Sequence, residues 1–140
     1  MAVKTYDPSQ VALIVGGFNI TGFADGSFVT VARNADAFAL YVGTDGEGTR
    51  AKSNNKSGRI TITLAQSSDS NAILSGIASL DELSNNGVVP VLVKDSSGLS
   101  LYAAETAWIV KSPDSEFGKE LGSREWIIET DNLAMFVAGN

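Results

Sequence analysis

The segment most suggestive of chemistry is the glycine-rich stretch GTDGEGTRAKS at residues 43–53. A phosphate-binding loop places lysine directly after its second glycine, then Ser or Thr, then a helix whose N-terminal amides face the phosphates. Here Thr49 and Arg50 follow Gly48, and Lys52 comes too late. The next segment, RITITL (59–64), alternates apolar and polar residues at the period of a strand. The stretch therefore predicts the tip of a hairpin and not a nucleotide site.

Other groups for catalysis or metal binding are scarce. The 140-residue chain has no cysteine and no histidine, which removes thiolate ligands, disulfides and the commonest general base. No serine lies in a Gly-x-Ser-x-Gly arrangement. Asp45 and Glu47 suggest calcium, but the remaining ligands of a calcium loop are missing. We expect a protein that is not an enzyme and that has no cofactor and no metal.

Length and hydropathy predict one domain, residues 1–140, that is large enough to bury its own core. No apolar run reaches the length of a membrane span, and no signal-peptide pattern opens the chain. We therefore expect a soluble protein without a membrane anchor, made in the cytoplasm.

Charge is distributed unevenly along the chain. The net charge is −6, yet four of the ten basic residues lie within ten positions. They are Arg50, Lys52, Lys56 and Arg59, and no acidic residue lies between Glu47 and Asp69. Such a cluster is either a solvated loop or a docking surface for an acidic partner.

Periodicity predicts about seven strands and one helix. The long hairpin is predicted to run out along Ala37–Val42, turn through Gly43–Gly58 and return along Arg59–Gln66. A helix beginning near Ser68–Ser70 carries apolar residues at helical spacing on one face. They are Ile73, Leu74, Ile77, Leu80 and Leu83. The predicted fold is mainly β, an antiparallel β-sandwich or partly closed barrel with one flanking helix.

Several stretches together resemble the tail tube proteins of contractile-tailed bacteriophages. They are VGGFNITGFADGSFVTVARNADAF, SNNKSGRITITLAQSSDSNAILSGI, VPVLVKDSSG, FGKELGSREWIIET and LAMFVAGN. No single motif is specific, but the match runs in order through nearly the whole chain. The resemblance implies a virion protein that stacks as hexameric rings into a hollow tube inside a contractile sheath, through which DNA is delivered. It also implies contacts with sheath, baseplate and tail terminator proteins, and with the tape measure protein and DNA in the lumen.

Two alternatives stay open. The resemblance extends in fold to the tube proteins of type VI secretion systems, so a secretion-type contractile injection tube is one of them. The other is a carbohydrate-binding β-sandwich, in which Trp108 and Trp126 would form a sugar platform. Both tryptophans lie in apolar strands, which favours packing in the core.

A tube implies particular roles for the hairpin. One sheet of each subunit would join a continuous barrel, with one face of the hairpin toward the lumen. The lumen-facing candidates are Ala39, Tyr41, Thr61, Thr63 and Ala65, whereas Phe38, Leu40, Val42, Ile60, Ile62 and Leu64 face inward. The basic cluster is predicted to contact another subunit, with Asp114, Glu116, Glu120 and Glu125 as its acidic counterpart.

Overall fold

The computed structural model describes residues 3–139 as ten strands, one α-helix and one 3₁₀ turn. The strands are β1 (Val11–Val15), β2 (Phe18–Ile20), β3 (Val29–Arg33), β4 (Phe38–Val42), β5 (Gly48–Lys52), β6 (Gly58–Ala65), β7 (Val89–Asp95), β8 (Leu101–Lys111), β9 (Ser123–Thr130) and β10 (Ala134–Phe136). The α-helix, α1, spans Ser70–Ser84, and the 3₁₀ turn spans Pro8–Gln10. The described part of the chain contains no helix with both the length and the apolar character needed to cross a bilayer.

Eight strands form one antiparallel sheet. Its order is β2-β1-β7-β8-β9-β6-β3, and β10 pairs with the first half of β8. The sheet curls so that edge strand β3 approaches β1 and β7 across a cavity of about 410 Å³ lined by Val29, Val31, Val11 and Val93. The sheet does not close into a barrel, because β2 and β3 pair with each other nowhere in residues 3–139. The predicted mainly β, antiparallel fold with one helix is confirmed.

The core lies on the concave face of this sheet. Strand β6 alternates between buried Ile60, Ile62 and Leu64 and less buried residues between them, as the sequence predicts. Trp126 on β9 is almost fully buried, and its Nε1 donates to Oδ1 of Asn71 on α1 at 3.0 Å. This bond ties α1 to β9 at the core. Because its ring is buried, Trp126 cannot serve as a sugar platform.

Helix α1 buries less of its apolar face than its spacing predicts. Leu74 and Ile77 are buried, but Leu80 and Leu83 are exposed, so the prediction of five apolar residues on one covered face was wrong. The reason lies in the angular positions of these residues around the helix. At about 100° per residue, Leu83 lies about 180° from Leu74 and Leu80 about 120° from it, so neither lies on the side that is buried.

The predicted long hairpin was also wrong. Strand β4 pairs with β5, whereas β6 pairs with β3 and β9. The segment 43–58 is not one turn, because residues 48–52 are themselves extended and return along β4 after the short turn 43–47. In that turn Asp45 Oδ1 accepts from the Glu47 amide at 3.1 Å, and Gly46 takes a positive φ of 86° that suits glycine.

Candidate assembly surfaces

The β4–β5 hairpin is a separate two-stranded sheet that pairs with no other strand in residues 3–139. Its register places Phe38 opposite Lys52, Leu40 opposite Arg50 and Val42 opposite Gly48. Because alternate residues share a face, one face carries Phe38, Leu40, Val42, Arg50 and Lys52, and we call it the hairpin face. All five side chains are exposed, and Leu40 keeps 76% of its surface accessible. The prediction that Phe38, Leu40 and Val42 point into the core was therefore wrong, because all three side chains lie on the surface of the described chain.

The hairpin face combines apolar surface with positive charge. The guanidinium carbon of Arg50 lies 4.4 Å from the centroid of the Phe38 ring, the geometry of a cation–π contact. This contact places the Arg50 guanidinium over the Phe38 ring, and both residues remain exposed. The opposite face pairs Ala39 with Ala51 and Tyr41 with Thr49.

The four basic residues of the cluster are split between two parts of the molecule. Arg50 and Lys52 lie on β5. Lys56 and Arg59 lie on the rest of the domain, the eight-stranded sheet with α1 and its connections, which we call the body. Arg59 Nη2 donates to Glu129 Oε1 at 2.7 Å, so its charge is already paired within the subunit. The hairpin therefore carries two of the four cations, and both are exposed.

The acidic residues cluster on the segment that joins β8 to β9. We call residues 112–122 the acidic loop. It carries exposed Asp114, Glu116 and Glu120, with Glu125 nearby on β9. Asp114 Oδ1 lies 3.6 Å from Lys111 Nζ, an exposed pair. Gly122 N donates to Gln66 Oε1 at 2.9 Å and fixes the end of the loop to the body.

The acidic loop also carries two large apolar side chains that the charge pattern does not reveal. Phe117 is 80% exposed and Leu121 is 68% exposed. The Arg124 guanidinium carbon lies 5.4 Å from the Phe117 ring centroid, similar to the Arg50–Phe38 contact. A signal was available in FGKEL, where two apolar residues stand in an otherwise polar connection.

The hairpin and the acidic loop leave the sheet at opposite ends of the same strand pair. Gly58 pairs with Thr130 at one end of the β6–β9 ladder, and Ala65 pairs with Ser123 at the other. The hairpin leads into β6 at Gly58, whereas the acidic loop leads into β9 at Ser123. Eight residues of strand span about 25 Å. The basic and acidic surfaces are therefore not brought together within one subunit.

The lumen-facing candidates fall on two different sheets. Thr61, Thr63 and Ala65 lie on the outer face of β6, opposite Ile127, Glu125 and Ser123 of β9. Ala39 and Tyr41 lie on the hairpin instead, so the five do not form one continuous surface of the subunit. On this same outer face, Trp108 pairs with Glu129 and is half-buried, which removes it from the core predicted for it.

The acidic side chains are the remaining candidates for chemistry. No group of three or more acidic side chains among residues 3–139 could hold a metal ion. Hydrogen bonds from the Ser9 hydroxyl, at 2.7 Å, and from the Ser9 amide lower the pKa of Asp7. That arrangement caps the 3₁₀ turn and lies far along the chain from both charged surfaces.

Comparison with known families decides what kind of protein carries these surfaces. Residues 11–137 match the family model described as the Bacteriophage PhiTE tail tube protein. The chain belongs to this tail tube family. It is also 35% identical over 145 aligned residues to Structural protein ORF10 of Pseudomonas phage KPP10, covering 98% of this chain and 84% of that protein. This tail tube protein is thus a structural protein of the phage tail and of the virion.

Solved structures of contractile particles share the fold of this tail tube protein. The sheath/tube terminator of an extracellular contractile injection system (PVC, extended state) aligns with a TM-score of 0.63 at 14% identity, covering 98% of this chain and 100% of that one. The sheath–tube complex of the same system aligns at 0.62 and 14% identity, covering 94% and 91%. A chain of the native gene transfer agent virion aligns at 0.61 and 12% identity, covering 95% and 100%.

Proposed function

We propose that the protein forms stacked hexameric rings that make the inner tube of a contractile phage tail, the conduit for DNA delivery. The observation that carries this proposal is the β4–β5 hairpin, a free-standing sheet that exposes large apolar side chains. Exposed apolar surface of this kind marks a contact with another protein. In a tail tube protein, the partner available in large numbers is a second copy.

The free edges of the main sheet support ring formation. Strands β2 and β3 lie at its two edges, and each has one side without a partner strand in the described chain. Open edges invite pairing, and a closed ring that joins one edge to the next subunit removes them. The contractile sheath then surrounds the tube, with terminator and baseplate proteins at its ends and the tape measure protein and DNA inside it.

The outer face of β6 and β9 is the face we propose for the lumen. Thr61 and Thr63 are hydroxylated, and the acidic residues of β9 stand beside them. DNA would slide over such a face, because hydroxyl groups and carboxylates carry no positive charge that would hold phosphate. An exposed cation, in contrast, would add a salt-dependent attraction to phosphate. Arg59 does not offer one freely, since Glu129 is bound to it. Ala39 and Tyr41 remain lumen candidates. They lie on the hairpin, so they would join this surface only if assembly brings the hairpin next to it.

The charged surfaces are proposed as subunit contacts. Arg50 and Lys52 on the hairpin would meet acidic side chains of another copy, with Lys56 and Arg59 at the rim of the contact. The acidic residues are Asp114, Glu116, Glu120 and Glu125. A single exposed ion pair contributes only about 0–1 kcal/mol, but the symmetry of a ring repeats it and fixes the register.

Negative-stain electron microscopy of the purified protein tests the proposal. Six domains of this size, each about 40 Å wide, make rings or tubes roughly 100 Å across. Class averages should show six-fold symmetry. Monodisperse monomers at high concentration and low salt would contradict self-assembly, and another rotational symmetry would contradict the hexamer alone.

A tube of a secretion-type injection system is the second candidate. The likeness to the PVC sheath–tube complex favours it at the level of fold, at 14% identity. The 35% identity to a structural protein of phage KPP10 favours the phage tail. Detection of the protein in purified, DNA-filled virions would decide for the phage tail, and its presence only in DNA-free particles would decide against it.

A further inference from the structure

The segment that joins helix α1 to strand β7 contains a dipeptide suited to spontaneous covalent chemistry. Asn86 and Gly87 form the one Asn-Gly pair of the sequence. In such a pair, the backbone nitrogen of the glycine can attack the side-chain amide of the asparagine, because glycine has no side chain to hinder the approach. Asn86 is exposed, so water reaches the products of that attack. Covalent modification is therefore easier to start here than at the other asparagines.

The reaction is a deamidation, and it balances with water as the only other reactant. The Gly87 nitrogen loses its proton and bonds to Cγ of Asn86, and the side-chain nitrogen takes up a proton and leaves as ammonia. Water then opens the resulting cyclic imide at either of its carbonyl groups. The product is aspartate or isoaspartate, so in both cases a neutral amide becomes a carboxylate.

In the folded subunit the attacking nitrogen is already engaged. The Gly87 amide donates a hydrogen bond to Oδ1 of Asp81 at 3.2 Å. The nitrogen must give up this bond before it can turn toward Asn86. Loss of its proton in place would also set a negative nitrogen against the Asp81 carboxylate, and like charges repel. Asp81 therefore opposes the first step of the reaction twice.

The backbone around this amide has little room to rearrange. Gly87 is buried, and a Cβ there would overlap the Cβ of Asp81. Asn85 ends the helix in the left-handed region, with a φ of 59°, and its amide donates to the Asp81 carbonyl at 2.9 Å. Asp81 thus holds the turn through its side chain and its backbone. The packing that requires glycine at position 87 also creates the reactive pair.

We propose that Asn86–Gly87 is a latent deamidation site and that the Asp81 carboxylate protects it in the folded subunit. Protection matters in a virion, because a finished particle cannot replace a damaged subunit. The product would add a carboxylate after Asp81 and Glu82, at the end of a helix that has no basic residue in its last turn. The C-terminal end of a helix dipole disfavours negative charge, so the modified segment would be less stable.

The rate of deamidation tests the protection. The full chain is incubated at neutral pH, and isoelectric focusing detects the extra negative charge while peptide mass mapping locates it at residue 86. The same chain in guanidinium chloride gives the unprotected rate. A hydrogen bond to a charged group should make the folded protein slower by about 10- to 100-fold. Equal rates in the folded and unfolded chain would show that the site is not protected.

Substitutions of Asp81 test which group protects. Asp81→Ala removes the acceptor and should raise the rate in the folded protein by about 10- to 100-fold. Asp81→Asn keeps an acceptor oxygen without the charge, and its rate should fall between those of Asp81→Ala and the wild type, because a neutral hydrogen bond is weaker.

The matched control is Glu82→Ala, which removes the same charge from the exposed neighbouring residue and should leave the rate unchanged. Circular dichroism checks that each variant is folded. A folded Asp81→Ala variant that deamidates no faster than Glu82→Ala would overturn the proposal. If Asp81→Ala does not fold, Asp81→Asn decides, and a rate equal to that of the wild type would overturn the role of the carboxylate.

Discussion

Strands β4 and β6 have the same kind of sequence and very different surroundings. FALYV and GRITITLA both place large apolar residues at alternate positions. In β6 these positions are buried in the hydrophobic core, whereas every residue of β4 is exposed. Alternation therefore specifies two faces of a strand but not what covers them. In the body the cover comes from the same chain, and in the hairpin we propose that it comes from another copy.

Removing the hairpin should separate the two regions most sharply. Ser53 N donates to Ala37 O at 2.8 Å, so a short Gly-Ser linker can replace residues 38–52. We expect a folded body that forms no tubes, because the hairpin pairs with no other strand in residues 3–139. Circular dichroism would report the fold and sedimentation the assembly. Wild-type tubes from this variant would show that the hairpin takes no part in stacking.

Truncation of large side chains should affect the two regions unequally. Trp126→Ala removes a buried ring and its bond to Asn71, and should lower the free energy of unfolding by about 3–5 kcal/mol. Leu40→Ala should change it by less than about 0.5 kcal/mol, because the side chain is exposed in the monomer. Urea unfolding of the monomers measures both. A comparable loss for Leu40→Ala would mean that the hairpin packs on its own body.

Two glycines with positive φ, one in the body and one in the hairpin, test the same difference in stability between the two regions. Gly22 has a φ of 75°, and a Cβ there would overlap the side chain of Ser68 next to α1. Gly22→Ala should destabilise the body by roughly 2 kcal/mol through strain and overlap. Gly46 has a φ of 86° with open space around it, in the hairpin turn. Gly46→Ala should leave the midpoint of global unfolding nearly unchanged, and equal shifts in thermal melts would contradict this separation.

The smallest effect is expected for the ion pair on the outer face. Glu129→Gln leaves Arg59 without its partner, and the pair is partly exposed. The stability change should stay below about 1 kcal/mol and shrink at high salt. With the outer face toward the lumen, tubes of this variant should retain short DNA at low salt, whereas wild-type tubes should not. Equal DNA retention by the variant and the wild type would argue against a masking role for Glu129.

The sequence predicts the body well, because its elements are held by interactions that leave a periodic pattern. Ile60, Ile62, Leu64 and Trp126 were assigned correctly to the core for that reason. The pairing of β4 was not predictable, because a strand and its turn were hidden in a segment rich in glycine and polar residues. Charge clustering drew attention to Arg50 and Lys52 but gave no sign that Arg59 is paired with Glu129, 70 positions away.

The placement of the hairpin and the acidic loop at opposite ends of the β6–β9 ladder has a consequence for the finished polymer. If every ring stacks in the same sense, one terminus of the tube presents a circle of uncovered apolar and cationic hairpins, and the other presents a circle of carboxylates. The two termini then differ in charge and in apolar surface, and a capping protein for one terminus would need a surface unlike that of a capping protein for the other.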